Sequence, residues 1–216
     1  MQKLPELAGM DLAALLCSRV CHDVISPVGA IANGIELLDE GTDADTTEIA
    51  MDLIRASAKN ASARLQFARI AFGAAGSAGA HIDTGDAEAV ARAFFDNESK
   101  TDIVWNGERA LLAKNKVKLL LNLTLISLGA IPRGGRIEVN IHDPNGNVGF
   151  SISAIGTKAR VPHVFLALLN GEFEEAIDAH AVQSVYALKL AEESGMSVTA
   201  VLEGESVVFK AASGAC

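Results

Sequence analysis

A long apolar stripe near the start of the chain constrains its fold more than any other feature. Between residues 11 and 40, aliphatic side chains return at spacings of three and four, at Leu16, Val20, Val24, Val28, Ile31, Ile35 and Leu38. This spacing places them along one side of an α-helix. Pro27 lies inside that helix and removes one backbone hydrogen bond, so a kink is expected just before it. The sequence therefore predicts one long helix whose apolar side needs a partner.

A second helix is predicted over residues 46–72, and either Asp43 or Asp45 is expected to cap its start. Its apolar side consists of Ile49, Leu53, Ala61, Leu65, Ala68 and Phe72. The short connection over residues 40–45 implies an antiparallel hairpin. Because two helices alone leave the flanks of both stripes open, we expect two hairpins to pair into a homodimeric four-helix bundle. The alternative is that the hairpin packs against the rest of its own chain.

The rest of the chain alternates strand and helix signals. The small, glycine-rich residues 74–80 are expected to form a linker between a helical hairpin domain, 1–73, and a second domain, 81–216. Strands are predicted at 81–84, 102–106, 136–142, 148–155, 196–202 and 207–211, and helices at 86–98 (capped by Asp86), 111–131, 161–170 and 178–194. This order predicts an α/β sandwich in which helices cover one face of a sheet.

Composition narrows the possible functions. The formal net charge is −9 and no basic cluster offsets it, which argues against nucleic acid as a partner because such binding depends on Lys and Arg neutralising phosphates. No uninterrupted apolar run reaches the roughly 18 residues of a membrane span, and residues 1–6 lack the apolar segment of a secretory signal. Three cysteines cannot form a disulfide framework. We therefore expect a cytoplasmic protein that binds neither nucleic acid nor membrane.

His22 is the candidate for chemistry in the first helix. At about 100° per residue, it projects roughly 200° away from Val20 and Val24, on the side opposite the apolar stripe. The residues that share its side are small or polar: Ser18, Arg19, Ser26, Gly29 and Asn33. An imidazole in such a strip is accessible, and because imidazole is mostly uncharged near neutral pH it can act as a nucleophile. An ordinary exposed histidine is the alternative.

A metal site built from Cys17, Cys21 and His22 is disfavoured by geometry. His22 lies about 140° around the helix from Cys17, so the three side chains cannot converge on one ion. Cys17 and Cys21 are one turn apart and are interpreted as small apolar residues. No metal ligand set is expected on this chain.

The stretch around this histidine resembles a known motif. Residues 21–31, Cys-His-Asp-Val-Ile-Ser-Pro-Val-Gly-Ala-Ile, are similar to the H-box of sensor histidine kinases. The shared features are an acid directly after the histidine and a proline five residues after it. In those kinases the box lies in the first helix of a dimerisation and histidine-phosphotransfer hairpin. The resemblance implies that His22 carries a phosphoryl group on a ring nitrogen.

Residues 121–137 resemble a kinase N-box that runs into its Gly-Gly strand, but the nucleotide-binding residues are missing. Ile126 stands in place of the metal-binding Asn, and Ala154 in place of the base-reading Asp. Residues 181–185 contain no glycine where the phosphate-binding loop should precede a helix. Without these groups a triphosphate and its Mg²⁺ have nothing to hold them. The resemblance therefore implies a degenerate, Bergerat-like ATPase fold that does not bind ATP.

The combination of an intact H-box and an ATPase-like domain without its nucleotide-binding residues resembles the ChpT-type histidine phosphotransferases of alphaproteobacterial cell-cycle relays. It is also similar in plan to the dimeric sporulation phosphotransferase. This resemblance spans nearly the full chain. It implies transfer of a phosphoryl group from the receiver domain of a hybrid histidine kinase to response regulators through His22, without ATP-dependent kinase activity. It also implies that the receiver supplies Mg²⁺ and that this chain binds no cofactor of its own.

The resemblance suggests roles for the neighbours of His22. Asp23 is expected to hydrogen-bond the imidazole or a receiver cation, and Arg19 to compensate the phosphoryl charge. A solvated helix acid and a plain surface arginine are the alternatives. Leu37 is expected to be an apolar anchor for the receiver unless it belongs to the hairpin core. The full docking strip is predicted to consist of Ser26, Gly29, Ala30, Asn33 and Leu37.

Two other functions stay open at this point. The first is a degenerate sensor kinase or phosphatase, because Asp23 and Ser26 loosely resemble a kinase phosphatase motif. Nucleotide binding in the micromolar range would favour it. The second is a non-catalytic dimeric adaptor, which would keep its function when His22 is replaced by alanine.

Overall fold

Two long helices precede a run of mixed strands and helices. The computed structural model describes residues 4–41, 43–73, 80–142 and 147–213. The helices in these ranges are α1 (Gly9–Asp39), α2 (Ala44–Ala71), α3 (Thr84–Phe95), α4 (Lys114–Leu128), α5 (His163–Asn170) and α6 (Ala181–Glu193). The strands are β1 (His81–Asp83), β2 (Thr101–Asn106), β3 (Leu111–Ala113), β4 (Gly135–His142), β5 (Gly149–Ile155), β6 (Met196–Glu203) and β7 (Ser206–Ser213).

Helices α1 and α2 pack against each other as the predicted hairpin. Asp43 caps α2, because its Oδ1 accepts a hydrogen bond of 2.9 Å from the backbone N–H of Thr46. Helix α1 continues through Pro27, and Pro27 and Gly34 are its buried residues. A Cβ atom at Gly34 would lie 2.6 Å from Cγ1 of Ile54. Glycine at this position therefore allows the two helices to approach closely.

Large apolar side chains of the hairpin remain exposed in a single chain. Val28 and Ile35 on α1 are 49% and 47% exposed, and Leu65 on α2 is 49% exposed. By length and composition alone, α1 is also apolar enough to cross a membrane, although polar residues interrupt its apolar ones. The hairpin thus carries an apolar surface that its own chain leaves uncovered.

The second half of the chain contains a five-stranded sheet in the order β2-β4-β5-β7-β6. Strands β2 and β4 are parallel, and the other neighbouring pairs are antiparallel. Alternate residues of β5 are buried, namely Phe150, Ile152 and Ala154, as expected when helices cover one face of a sheet. The predicted fold class, a helical hairpin followed by an α/β sandwich, is confirmed.

Three local predictions were wrong. Residues Leu111–Ala113 form β3 and pair with β1 instead of opening a helix. Asp83, not Asp86, caps α3, because Oδ1 of Asp83 accepts from the N–H of Gly85 at 2.8 Å. Helix α6 begins at Ala181, after the predicted start at residue 178. Residues 74–79 of the predicted linker, 74–80, lie outside the described residues, as do residues 143–146 between β4 and β5.

The end of α2 packs into the core of the second half. Phe67 is 1% exposed, and its ring centroid lies 5.0 Å from that of Phe94 on α3. The buried Nδ2 of Asn122 on α4 donates hydrogen bonds to the carbonyl oxygen of Ala71 at 3.1 Å and to that of Lys118 at 2.9 Å. The core of the sandwich therefore includes the last turns of the hairpin.

Candidate functional site

His22 lies midway along α1 with its side chain 62% exposed. Its Nδ1 is 3.5 Å from Oδ1 of Asp23. The other oxygen of that carboxylate, Oδ2, accepts a hydrogen bond of 3.0 Å from Nε of Arg19, one turn earlier. A carboxylate beside Nδ1 favours the imidazole tautomer that carries its proton there, which leaves the lone pair on Nε2 free. The three predicted residues thus form one group on α1, in which Arg19 is hydrogen-bonded to Asp23 and Nδ1 of His22 lies near the other oxygen of the same carboxylate.

A cavity of about 350 Å³ opens beside this group, between the two helices of the hairpin. Helix α1 lines it with five residues: His22, Asp23, Ser26, Pro27 and Ala30. Of the predicted docking strip, Ser26 and Ala30 therefore lie at the cavity. Gly29 and Asn33 are exposed on α1 outside this lining, and Leu37, 37% exposed, lies further along the helix.

Helix α2 contributes a polar side to the same cavity, with Ser57, Asn60 and Arg64. Nε of Arg64 donates to Oδ1 of Asn60 at 2.8 Å, and its Nη2 donates to Oε1 of Glu98 at 2.7 Å. The guanidinium also lies 4.9 Å from the ring centroid of Phe94. These contacts hold a cation at the cavity. The spacing of three and four between these residues indicates that they share one side of α2, but it does not indicate that this side faces His22.

The second half of the chain reaches the site through His180. The ring centroids of His22 and His180 are 5.2 Å apart, and the rings meet edge to face at 78°. His180 directly precedes α6, and α6 packs against α1. This contact could not be found in the sequence, because it depends on how the sandwich docks on the hairpin.

Asp178 organises the start of α6. Its Oδ1 accepts from the backbone N–H of Ala181 at 2.7 Å and from that of His180 at 2.9 Å. These hydrogen bonds, first the one from Ala181, hold the pKa of Asp178 below its ordinary value. Backbone amides at a helix N-terminus can bind phosphate, but here the Asp178 carboxylate already occupies them. In the histidine kinases that this chain resembles, the phosphate-binding loop precedes the corresponding helix.

The residues that replace the kinase nucleotide ligands are apolar and buried. Ile126 is 7% exposed and Ala154 is fully buried. Neither side chain can ligate a cation. Among the described residues, no group of three or more His, Cys, Asp or Glu side chains is arranged to hold a metal ion.

Comparisons with known proteins agree with this geometry. Residues 84–206 match the histidine phosphotransferase C-terminal domain. The chain is 59% identical over 206 residues to protein phosphotransferase ChpT of Brucella abortus (strain 2308), a match that covers 95% of this chain and 97% of that protein. It also matches a solved bacterial phosphotransferase with a TM-score of 0.89 and 55% identity, over 97% of this chain and 100% of the other. The chain belongs to the ChpT family of histidine phosphotransferases.

Proposed function

We propose that His22 is the phosphoryl carrier of a two-component phosphorelay. It accepts the group from the aspartyl phosphate of one receiver domain, that of a hybrid histidine kinase, and passes it to the aspartate of a response regulator. The observation that carries the proposal is the exposed His22 ring with Asp23 at its Nδ1 and an open cavity beside it. By its family resemblance, we place the relay in cell-cycle control.

The chemistry follows from the position of Asp23. The Nε2 lone pair attacks phosphorus, the N–P bond forms, the P–O bond breaks, and the receiver aspartate leaves as a carboxylate. Nδ1 keeps its proton, so the ring becomes positively charged next to the Asp23 carboxylate, which stabilises it. Arg19 holds that carboxylate in place. The receiver would supply the Mg²⁺ and the cation that neutralise the charge on the phosphoryl oxygens during transfer. Delivery of the phosphoryl group from His22 to the aspartate of the response regulator is the reverse reaction.

Small side chains around the histidine favour the close approach of a folded partner. Ser26 and Ala30 line the cavity, and a Cβ atom at Gly29 would meet no atom within 4 Å. In the proposal, part of the receiver enters the cavity, and Gly29, Asn33 and Leu37 extend the contact along α1. Arg64 lies at the far side of the cavity and joins this receiver surface.

Two hairpins pair into a homodimer in the proposal. The support is the exposed apolar surface of α1 and α2, which a four-helix bundle would cover. The same pairing would use the apolar side of α1 that also makes it a candidate for crossing a membrane. A protein that meets diffusible response regulators acts in the cytoplasm, where we place this one.

The test is phosphoryl transfer without ATP. The full chain is incubated with Mg²⁺ and a radiolabelled, phosphorylated receiver from a hybrid kinase. We expect label on the wild type that is labile to acid and stable to base, and none on His22→Ala. His142→Ala is the matched control, because His142 is an exposed histidine that lines a different cavity together with residues of β5 and β7.

Three results would contradict the proposal. Label that persists on His22→Ala would place the carrier elsewhere. A His22→Ala variant that keeps full function in the relay would favour the adaptor. Micromolar nucleotide binding by the wild type, together with labelling from ATP, would favour the degenerate kinase.

A further inference from the structure

The contact between His22 and His180 joins the two halves of the chain at the site of chemistry. The rings lie edge to face, with centroids 5.2 Å apart. A group attached to a ring nitrogen of His22 is therefore within a few ångströms of a second imidazole. Neither the sequence motif nor the proposed function assigns a role to that second ring.

Apart from its contact with His22, the His180 side chain interacts electrostatically with the Asp178 carboxylate and helps to lower the pKa of that group. Within the described residues, the imidazole makes no capping hydrogen bond to α6, and its ring contact is with His22. The backbone of His180, in contrast, is held in place by the hydrogen bond from its N–H to Asp178. The chain thus presents this ring to His22 while its nitrogens stay available.

The backbone at the start of α6 does not compete for the phosphoryl group. The N–H groups of His180 and Ala181 donate to Asp178, and that of Val182 donates to the carbonyl oxygen of Asp178. An anion that arrives on His22 therefore meets the His180 side chain, not free amides.

We propose that His180 is a positioning residue for the phosphoryl group on His22, to which a ring N–H of His180 donates a hydrogen bond. The inference rests on the proposed function. The transfer itself is unchanged: the N–P bond to His22 forms, the P–O bond to the receiver aspartate breaks, and the carboxylate leaves. His180 gives up no proton and forms no covalent bond. Its hydrogen bond stabilises the phosphohistidine and the transition state that leads to it.

The experiment measures single-turnover uptake from a phosphorylated receiver, and the lifetime of the phosphohistidine once the receiver is removed. We expect His180→Ala to slow uptake about ten-fold and to shorten the lifetime, which is the scale of one exposed, charge-assisted hydrogen bond. His180→Gln keeps an N–H donor at similar reach and should recover most of both quantities. His142→Ala should behave as the wild type.

Two other results for the His180 variants would contradict the inference. If His180→Ala matches the wild type in rate and lifetime, the inference is wrong. It is also wrong if His180→Gln is as impaired as His180→Ala, because loss of the hydrogen-bond donor would then not explain the slower uptake and shorter lifetime. Thermal unfolding of each variant separates these results from misfolding. A wild type that takes up no label would instead overturn the proposed function, and this inference with it.

Discussion

Asp23 lies between Arg19 and His22, and each of its carboxylate oxygens faces one of them. At the residue scale the contact between Arg19 and Asp23 follows from their spacing, because residues four apart on a helix are neighbours. The resemblance to the H-box, not the spacing, predicted that Asp23 accompanies His22. The sequence could thus indicate which three side chains of α1 lie close together. It could not predict Arg64 or His180 at the site, because their placement depends on the rotation of α2 and on domain packing.

Replacing Asp23 with Asn tests this arrangement. The change keeps the size of the side chain but removes the charge that stabilises the positively charged phosphohistidine ring. We expect uptake from a phosphorylated receiver to slow about ten- to hundred-fold, the scale for loss of a hydrogen bond to a charged group. Rapid-quench kinetics measures the rate.

The control is Asp11→Asn, the same substitution in the first turn of the same helix. Binding of the unphosphorylated receiver, followed by calorimetry, should stay close to the wild type for both variants. If Asp23→Asn loses as much affinity as rate, then Asp23 acts in docking and not on the imidazole.

At the scale of elements, most helices and strands follow from local periodicity. The wrong predictions occur where a segment distant in the sequence determines the local structure. Residues 111–131 are predicted as one helix, yet Leu111–Ala113 forms β3 because it pairs with β1, about 30 residues earlier in the chain. The backbone N–H of Thr84 donates to the carbonyl oxygen of Ala110 at 2.9 Å, where α3 begins, two residues before its predicted start at 86.

Asn122→Ala tests the attachment of α2 to α4. Asn122 is fully buried and donates to the carbonyl oxygen at the end of α2. Its loss leaves that oxygen without this partner and opens a small cavity, so we expect the free energy of unfolding to fall by about 1–3 kcal/mol. Urea denaturation measures the change.

Asn115→Ala on the same helix is the matched control, because Asn115 makes a surface hydrogen bond to Glu193. It should change the free energy of unfolding by less than about 0.5 kcal/mol. Equal effects of the two variants would show that the hydrogen bond to α2 does not secure the hairpin.

At the scale of the whole molecule, the chain combines a well-covered sandwich core with an incompletely covered hairpin. Residues 117–127 of α4 are buried throughout. Val28 and Ile35 belong to the predicted apolar stripe, yet both are about half exposed. Periodicity identifies an apolar side, but it does not distinguish a surface covered by the same chain from one covered by a second copy.

Ile35→Glu tests the homodimer. A charge on the exposed side of α1 would be costly to bury in a four-helix bundle, so we expect the mass in solution to fall from that of a dimer to that of a monomer. Sedimentation equilibrium measures it. Val201→Glu on β6 is the control, because Val201 is similarly exposed, at 51%, but lies on the sandwich. A dimer that survives Ile35→Glu and dissociates with Val201→Glu would place the interface on the sheet.

The burial of the last turns of α2 also bears on how fast this protein can work. Phe67, Ile70 and Ala71 share one core with α3 and α4, so the hairpin and the sandwich are ordered together when the chain folds. The entropy lost in joining them is then not lost again at each encounter with a receiver. Successive receivers meet the same preformed surface. The speed of the relay should therefore follow the frequency of productive collisions, which depends on receiver concentration and ionic strength.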